Sequence, residues 1–176
     1  YCVYRDGALV EEPEDIAHLW RADLVGFAMG CSLSFDAVLE REGLRVMHLE
    51  RPGGRIAVYV SGIDCVPAGP FRGPMVVSLR PVPRAEVARV TEITRRYPSV
   101  HGGPIHIGDP AEIGIADVAA VDWGAAPRIG PDDVPMFWAC GVTPQTAAKA
   151  ARLPLMITHR TGHMLLTDLK VEELDR

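Results

Sequence analysis

The chain has 176 residues, a formal net charge of −5, 48% apolar residues and 23% charged ones. A chain of this length buries roughly 70% of its unfolded surface, so a core forms without covalent staples, and the composition is that of an ordinary globular domain. The acidic balance, with no basic run and no aromatic-plus-arginine platform, argues against a nucleic-acid partner, and no apolar run approaches the roughly 20 residues of a membrane span.

The chain opens on YCVY, the turn pair Asp6-Gly7 and ALV, which predict a β-hairpin. It starts at Tyr1 rather than Met and shows no signal peptide, so the expectation is a fragment or a processed chain of a cytoplasmic protein. Residues 14–30 carry Ile16, Leu19, Trp20, Leu24 and Phe27 at helical spacing, with Gly30 as a stop. A second helix is expected over 34–43, with Ser34 as N-cap and Gly43 just past its end. RVMHLE (45–50) and IAVYV (56–60) read as strands around the loop Pro52-Gly53-Gly54. The proline–glycine loop PAGPFRGP then leads into MVVSLR, where Met75, Val77 and Leu79 alternate with Val76, Ser78 and Arg80.

Pro83 suits the first turn of a helix whose buried face is Val87, Val90, Ile93 and Tyr97, and Pro98 ends it. PIHIG (104–108) is the strand after it. A second unit runs from the strand VPMFWAC (134–140) through a helix with Thr143 as N-cap and Pro144 at its first position, to the strand LMITH (155–159). Residues 116–133 read as an irregular connection. Two strand–helix–strand units predict an α/β fold, a layered sandwich of mixed sheet and helices with some parallel pairing. Residues 1–60 are expected to form its helical and hairpin part and 61–176 its α/β part, interlocked in one unit. Cys2, Cys31, Cys65 and Cys140 are widely spaced and form no C-x-x-C pair, so they are expected to be reduced thiols.

Four places carry candidate chemistry, all at strand ends or helix starts, where α/β sheets bind ligands. HGGPIHIGDP supplies His101, His106 and Asp109; the plainer alternative is an Asx turn at Asp109 before Pro110, with histidines that satisfy local backbone. THRTGHMLLTDL supplies His159, His163 and Asp168. The two histidines are four apart, but Gly162 interrupts, the acidic residue is missing, and the zinc-protease motif is rejected. CGVTPQ places Cys140, Gly141, Thr143 and Gln145 at a helix start whose free N–H groups can hold a carboxylate or phosphate, and Cys140 is a candidate nucleophile if a histidine lies close; an ordinary capped helix and a buried thiol are the alternatives. GCSLSF offers Cys31, Ser32 and Ser34 as pocket lining, against simple helix capping by Ser34. Arg80 is a candidate carboxylate clamp, against a surface ion pair.

Together, MGCSLSF, GPFRGPMVVSLRP, HGGPIHIGDP, IGIADV, VPMFWACGVTPQ and ITHRTGHMLLTDL resemble, in this order, the D-glutamate cyclase family, whose bacterial members carry the general name hydro-lyase. The resemblance runs from Tyr1 to about Leu174. Family members have a further N-terminal region ahead of the segment matching YCVYRDG. Leu33, Asp36 and Gly103 are smaller departures from residues common in relatives. The resemblance implies a pair of α/β domains and a carbon–oxygen lyase that cyclises D-glutamate to 5-oxo-D-proline with loss of water.

That reaction starts from a protonated amine and an ionised carboxyl, whose ordinary pKa is about 4.3. Histidine can take the ammonium proton and supply one to the departing oxygen. His101, His106, His159 and His163 suit this role, with Asp109 or Asp168 orienting an imidazole. The helix start after Gly141 would stabilise the oxyanion, Arg80 would hold the α-carboxylate, and Ser32, Ser34, Cys140, Thr143 and Gln145 would line the substrate. No nucleotide or redox motif is present, so no such cofactor is expected. A divalent metal on the histidines stays open, as does a homo-oligomer. The expected partner is a small carboxylate or amino acid. Two other readings compete: a non-catalytic carboxylate-binding module, and a metal-dependent lyase or hydrolase.

Overall fold

The computed structural model describes residues 1–50 and 54–174. Its larger sheet is built around β4 (Pro74–Pro83), with β3 (Ala57–Asp64) on one side and β6 (Asp133–Ala139) on the other, and the short β5 (His106–Ile107) beyond β6. Residues Val76 to Val82 of β4 are all buried, because both faces of this strand are covered. On one face Val82, Met136 and Trp138 pack with Phe35, Val38 and Leu39 of α1 (Leu33–Arg41) and with Val90 and Ile93 of α2 (Val87–Arg95). On the other, Tyr59, Val77, Leu79 and Phe137 meet Ile113 and Ile115 from the loop after β5. Each such fully buried side chain contributes about 1.5–3 kcal/mol. Val142, at the start of α3 (Val142–Ala150), joins Val58 and Val76 in a third cluster.

The smaller sheet has the order β2-β1-β7, with β1 (Cys2–Arg5), β2 (Ala8–Glu11) and β7 (Met156–Thr158). Its hairpin is as expected: Asp6 and Gly7 take φ of 49° and 83°, the left-handed pair that a tight two-residue turn requires. The Asp6 N–H donates to the Leu153 carbonyl and ties this turn to the end of α3.

The α/β class stands, with two sheets and three helices among the described residues, but the expected parallel pairing does not. Every ladder among the described residues is antiparallel. The unit β4–α2–β5 does form, and its two strands run the same way. However, β6 lies between them and takes the hydrogen bonds they would have shared. The unit β6–α3–β7 fails differently, because β7 leaves the larger sheet and pairs with β1.

Two expected elements are absent. Residues 14–30 form only a short 3-10 turn, Ala17–Leu19, and Trp20 and Phe27 are 71% and 84% exposed. The helical spacing is present, but no surface receives that stripe, and packing of an apolar face is what stabilises most helices. Residues 45–50 make successive turns, with Leu49 N–H donating to the Val46 carbonyl, rather than a strand. Of the loop between the two expected strands, Pro52 and Gly53 lie outside the described residues. Residues 116–133 are irregular, as expected, and run along β3, where Trp123 exchanges backbone hydrogen bonds with Val58. No described helix is long and apolar enough to cross a membrane.

The caps also move. Pro83 ends β4, and a 3-10 turn precedes α2. Ser32 rather than Ser34 sits at the N-cap of α1, and Gly141 rather than Thr143 at that of α3. Thr143 instead reaches back to the sheet, where its Oγ1 accepts from the Val76 N–H at 2.9 Å and faces the Val76 carbonyl at 3.2 Å. The hydroxyl bolts α3 to the central strand where the ladder gives way. Thr143→Val keeps the shape and leaves the Val76 N–H without this partner; urea unfolding should show a loss of about 1–3 kcal/mol.

Candidate functional site

Arg80 and Ser78 project from the same face of β4, the face covered by α1. Arg80 is 4% exposed. Its Nε and Nη2 donate to Asp36 Oδ1 and Oδ2 at 2.8 and 3.0 Å, a two-pronged bond across from strand to helix. Nη2 also donates to the Ser32 hydroxyl and carbonyl, and Nη1 to the Ser78 hydroxyl, all at 3.3 Å. The guanidinium lies over Phe35 and Trp138, 4.8 and 5.2 Å from the ring centroids. His48 Nε2 stands 3.0 Å from Asp36 Oδ2. Burial pushes the Asp36 carboxyl up, but Arg80 and His48 outweigh it and hold the group below its ordinary range.

Three chain segments come near enough to Arg80 to feel its charge: Gly30-Cys31-Ser32 leading into α1, His101 after a 3-10 turn (Pro98–Val100), and Cys140-Gly141 leading into α3. The first two are pressed together. A Cβ at Gly30 would stand 1.9 Å from the Ser99 carbonyl oxygen, so only glycine fits there. The third lies beside both: a Cβ at Gly141 would stand 3.5 Å from the Gly30 oxygen and 4.0 Å from His101 Nε2.

His101 is held with φ at 82°, a left-handed conformation uncommon for a residue with a side chain. Burial, and then the charge of Arg80, push its pKa below the ordinary value, against a weaker opposite pull from the Gly30 carbonyl. Its Nε2 is shielded from solvent and makes no hydrogen bond of good geometry among the described residues, although the Gly30 carbonyl lies close enough to act on the ring. Burial raises the Cys31 and Cys140 thiols, although backbone N–H groups of Leu33 and Val142 work the other way. At neutral pH the cluster therefore holds a neutral imidazole, two protonated thiols and an arginine whose charge Asp36 balances.

The histidines of HGGPIHIGDP part company. His106 pairs across the ladder with Phe137, which pairs with Leu79, so His106 occupies the sheet face opposite Arg80. Its ring packs on Phe137 at 5.7 Å and its Nε2 lies 2.8 Å from the Asp109 carbonyl. Asp109 Oδ1 accepts from the Ala111 N–H at 2.9 Å, the Asx turn set out as the plainer alternative. His159 lies against Gln145 Nε2 at 3.4 Å, near the start of α3. Burial lowers its pKa, and His163 and the chain's amino terminus lower it further. His163 and Asp168 are exposed. Ser34 is half-buried in the first turn of α1, and its N–H donates to the Cys31 carbonyl. The four histidines are not brought together, and no group of three or more His, Cys, Asp or Glu is placed to hold a metal among the described residues.

Sequence reasoning overlooked Asp36, His48 and Ser78. Two signals for them were readable: Ser32 and Asp36 are four apart, one helical turn, and Ser78 shares its strand face with Arg80. His48 carried no local signal, because only the turns at 45–50 bring it to Asp36.

A family model described as D-glutamate cyclase matches residues 25–168. The chain belongs to the D-glutamate cyclase family. A relative from Rhodopseudomonas palustris (strain BisB5) is 53% identical over 174 residues, 99% of this chain and 64% of the relative. Others from Saccharopolyspora erythraea and Bacillus licheniformis are 51% identical over 173 residues, 98% of this chain and 68% and 66% of theirs. All three bear the name "Putative hydro-lyase". The chain spans 64% of the length of the Rhodopseudomonas relative. The D-glutamate cyclase match runs from the arm before Gly30 to beyond β7 and so includes all three segments of the cluster.

Two measurements test this geometry. Asp36→Asn removes one charge of a desolvated pair and should cost about 3–5 kcal/mol in chemical denaturation. In an NMR pH titration, the His101 ring should stay neutral to a lower pH than an ordinary histidine, whose pKa is about 6.5. Because its folded-state pKa is depressed, the stability linked to His101 is present above about 6.5 and is lost as the pH falls below it.

Proposed function

We propose that this chain carries the reaction centre of a hydro-lyase that closes an acyclic amino acid such as D-glutamate into its lactam, with His101 as the acid–base group. The carrying observation is the His101 ring: neutral, shielded, with Nε2 unpartnered where the starts of α1 and α3 meet over Arg80. Family membership supplies the reaction class.

Proton bookkeeping favours a single imidazole. Lactam formation takes two protons from the ammonium nitrogen and delivers two to the oxygen that leaves as water. A base that accepts from nitrogen and then donates to oxygen returns to its starting state, so one histidine completes the cycle. It must begin neutral, which is the state burial and Arg80 impose on His101. In this reading the Arg80 fork, closed on Asp36, shapes the site, and the backbone N–H groups opening α1 and α3 stabilise the developing oxyanion. The thiols of Cys31 and Cys140, protonated by burial, line the pocket as neutral walls. His106 would act only on the far face of the sheet and takes no part.

The test is NMR observation of D- and L-glutamate incubated with the protein. Appearance of 5-oxoproline signals from one enantiomer supports the reading. His101→Asn tolerates the left-handed backbone, as asparagine does, and should lower turnover about 10²–10⁴-fold with an unchanged far-UV CD spectrum. Undiminished turnover in that variant removes His101 from the mechanism. Ligand-induced shifts without product favour the carboxylate-binding module instead.

A further inference from the structure

A groove of about 670 Å³ runs along α2 beside β5, the edge strand of the larger sheet, and shares no lining residue with the Arg80 cluster. Arg84 stands at one end and Arg95 at the other, about 16 Å apart by the rise of a helix. Between them lie Ala88, Thr91 and Ile107, the last 41% exposed. The stem of Arg95 is packed on Gly103, where an added Cβ would stand 2.5 Å from its Cγ, so this side chain is held along the groove. Neither guanidinium makes a hydrogen bond or an ion pair among the described residues. One carboxylate, Glu92, shares the wall. In a chain of net charge −5, two unpaired arginines on an open apolar groove fit an anionic partner.

The chain itself carries a segment of that kind. Glu11-Glu12-Pro13-Glu14-Asp15 runs on from β2 without forming a helix and places carboxylates on both sides of a proline. Glu11 and Glu14 have no side-chain partner among the described residues. Glu12 has distant ones, the Cys2 thiol and Arg160, both at 3.7 Å. Extended, the segment spans about 13 Å, close to the length of the groove. The Tyr1 amino group donates to the Pro13 carbonyl at 3.0 Å, and with the β1–β2 ladder this keeps the segment at the smaller sheet. The segment therefore does not fill the groove of its own molecule, whose arginines stay unpaired. We propose that the groove between α2 and β5 docks the acidic segment 11–15 of a second copy of this chain, with its carboxylates on Arg84 and Arg95 and Pro13 against Ala88 and Ile107. Groove and segment are different surfaces, so the contact is head-to-tail and links copies in a ring or a row. Exposed ion pairs are individually weak and screened by salt, and so short a segment falls well below the roughly 20–30 residues a side of a standard interface. The association is therefore reversible and salt-sensitive.

Sedimentation velocity on the whole chain, over a concentration series at about 0.05 and 0.5 M salt, tests this. The unaltered chain should gain mass with concentration at low salt and return to a monomer at high salt. Arg84→Gln with Arg95→Gln, and separately Glu11→Gln with Glu14→Gln, should each weaken association about tenfold or more, with unchanged far-UV CD spectra. An equimolar mixture of these two variants should associate more than either alone, because one retains the segment and the other the groove. A synthetic peptide of residues 9–17 should compete with self-association. Should the Glu11 change disturb β2, Glu14→Gln alone takes its place. A monomer at every concentration overturns the proposal, and so does association that the variants keep or a mixture no more associated than its parts. Peptide binding without self-association also overturns it, and gives the groove to an acidic partner other than this chain.

Discussion

The constraint on which the rest of the molecule depends is the charge of Arg80. A guanidinium placed at the middle of a fully covered strand must find an anion and several acceptors, or the strand cannot be buried there. Asp36 meets that demand from α1, and Ser32 and Ser78 take further donors. This one requirement fixes the rotation and height of α1 over the sheet. It thereby sets where Gly30 and Cys31 fall, because they are the residues just before that helix. The Phe35 and Trp138 rings flank the same cation, so the apolar and polar parts of the core are one structure.

The candidate site is a by-product of this anchoring. Three loops converge at the starts of α1 and α3, and each is pinned by a different device: Gly30 by its contact with Ser99, His101 by its left-handed backbone, and Cys140-Gly141 by the Thr143 bolt to Val76. The pinned loops surround a nitrogen that no described protein group satisfies. Two surface grooves, of about 670 and 530 Å³, lie elsewhere, one along α2 and one between the β1–β2 turn and α3. The titratable groups gather instead where the packing is tight, so in the proposed reading only a small and largely desolvated ligand would suit them.

What the residues made legible was local. The alternation in MVVSLR placed Arg80 and Ser78 on one face, the turn pair Asp6-Gly7 set the hairpin, and the spacing in SFDAVLEREG set α1. What stayed illegible was decided by partners far along the chain. Nothing in PIHIG or VPMFWAC told which strand would lie between β4 and β5, because antiparallel insertion and parallel adjacency use the same apolar pattern. Likewise, His101 and His106 are five residues apart, with Gly102, Gly103 and Pro104 between them. Only the ladder register, His106 opposite Phe137, sends them to opposite faces of the sheet. The stripe at 14–30 has helical spacing without a helix because periodicity records what could be buried, whereas burial depends on a receiving surface.

The smaller sheet carries a consequence for how the chain reaches its fold. Its central strand, β1, precedes every other element described, yet Cys2 must pair with Thr158, near the other end of the chain. On the ribosome, β1 and β2 can form their hairpin early, but an isolated hairpin is marginal in water. The β1 edge that will receive β7 therefore waits for that strand while the elements between them are made. Closing so long a loop is slow, and it fastens the far end of α3 through the bond from Asp6 to Leu153. The start of α3 is already bolted to β4 by Thr143, so it is the far end of this helix that is among the last parts of the molecule to be completed.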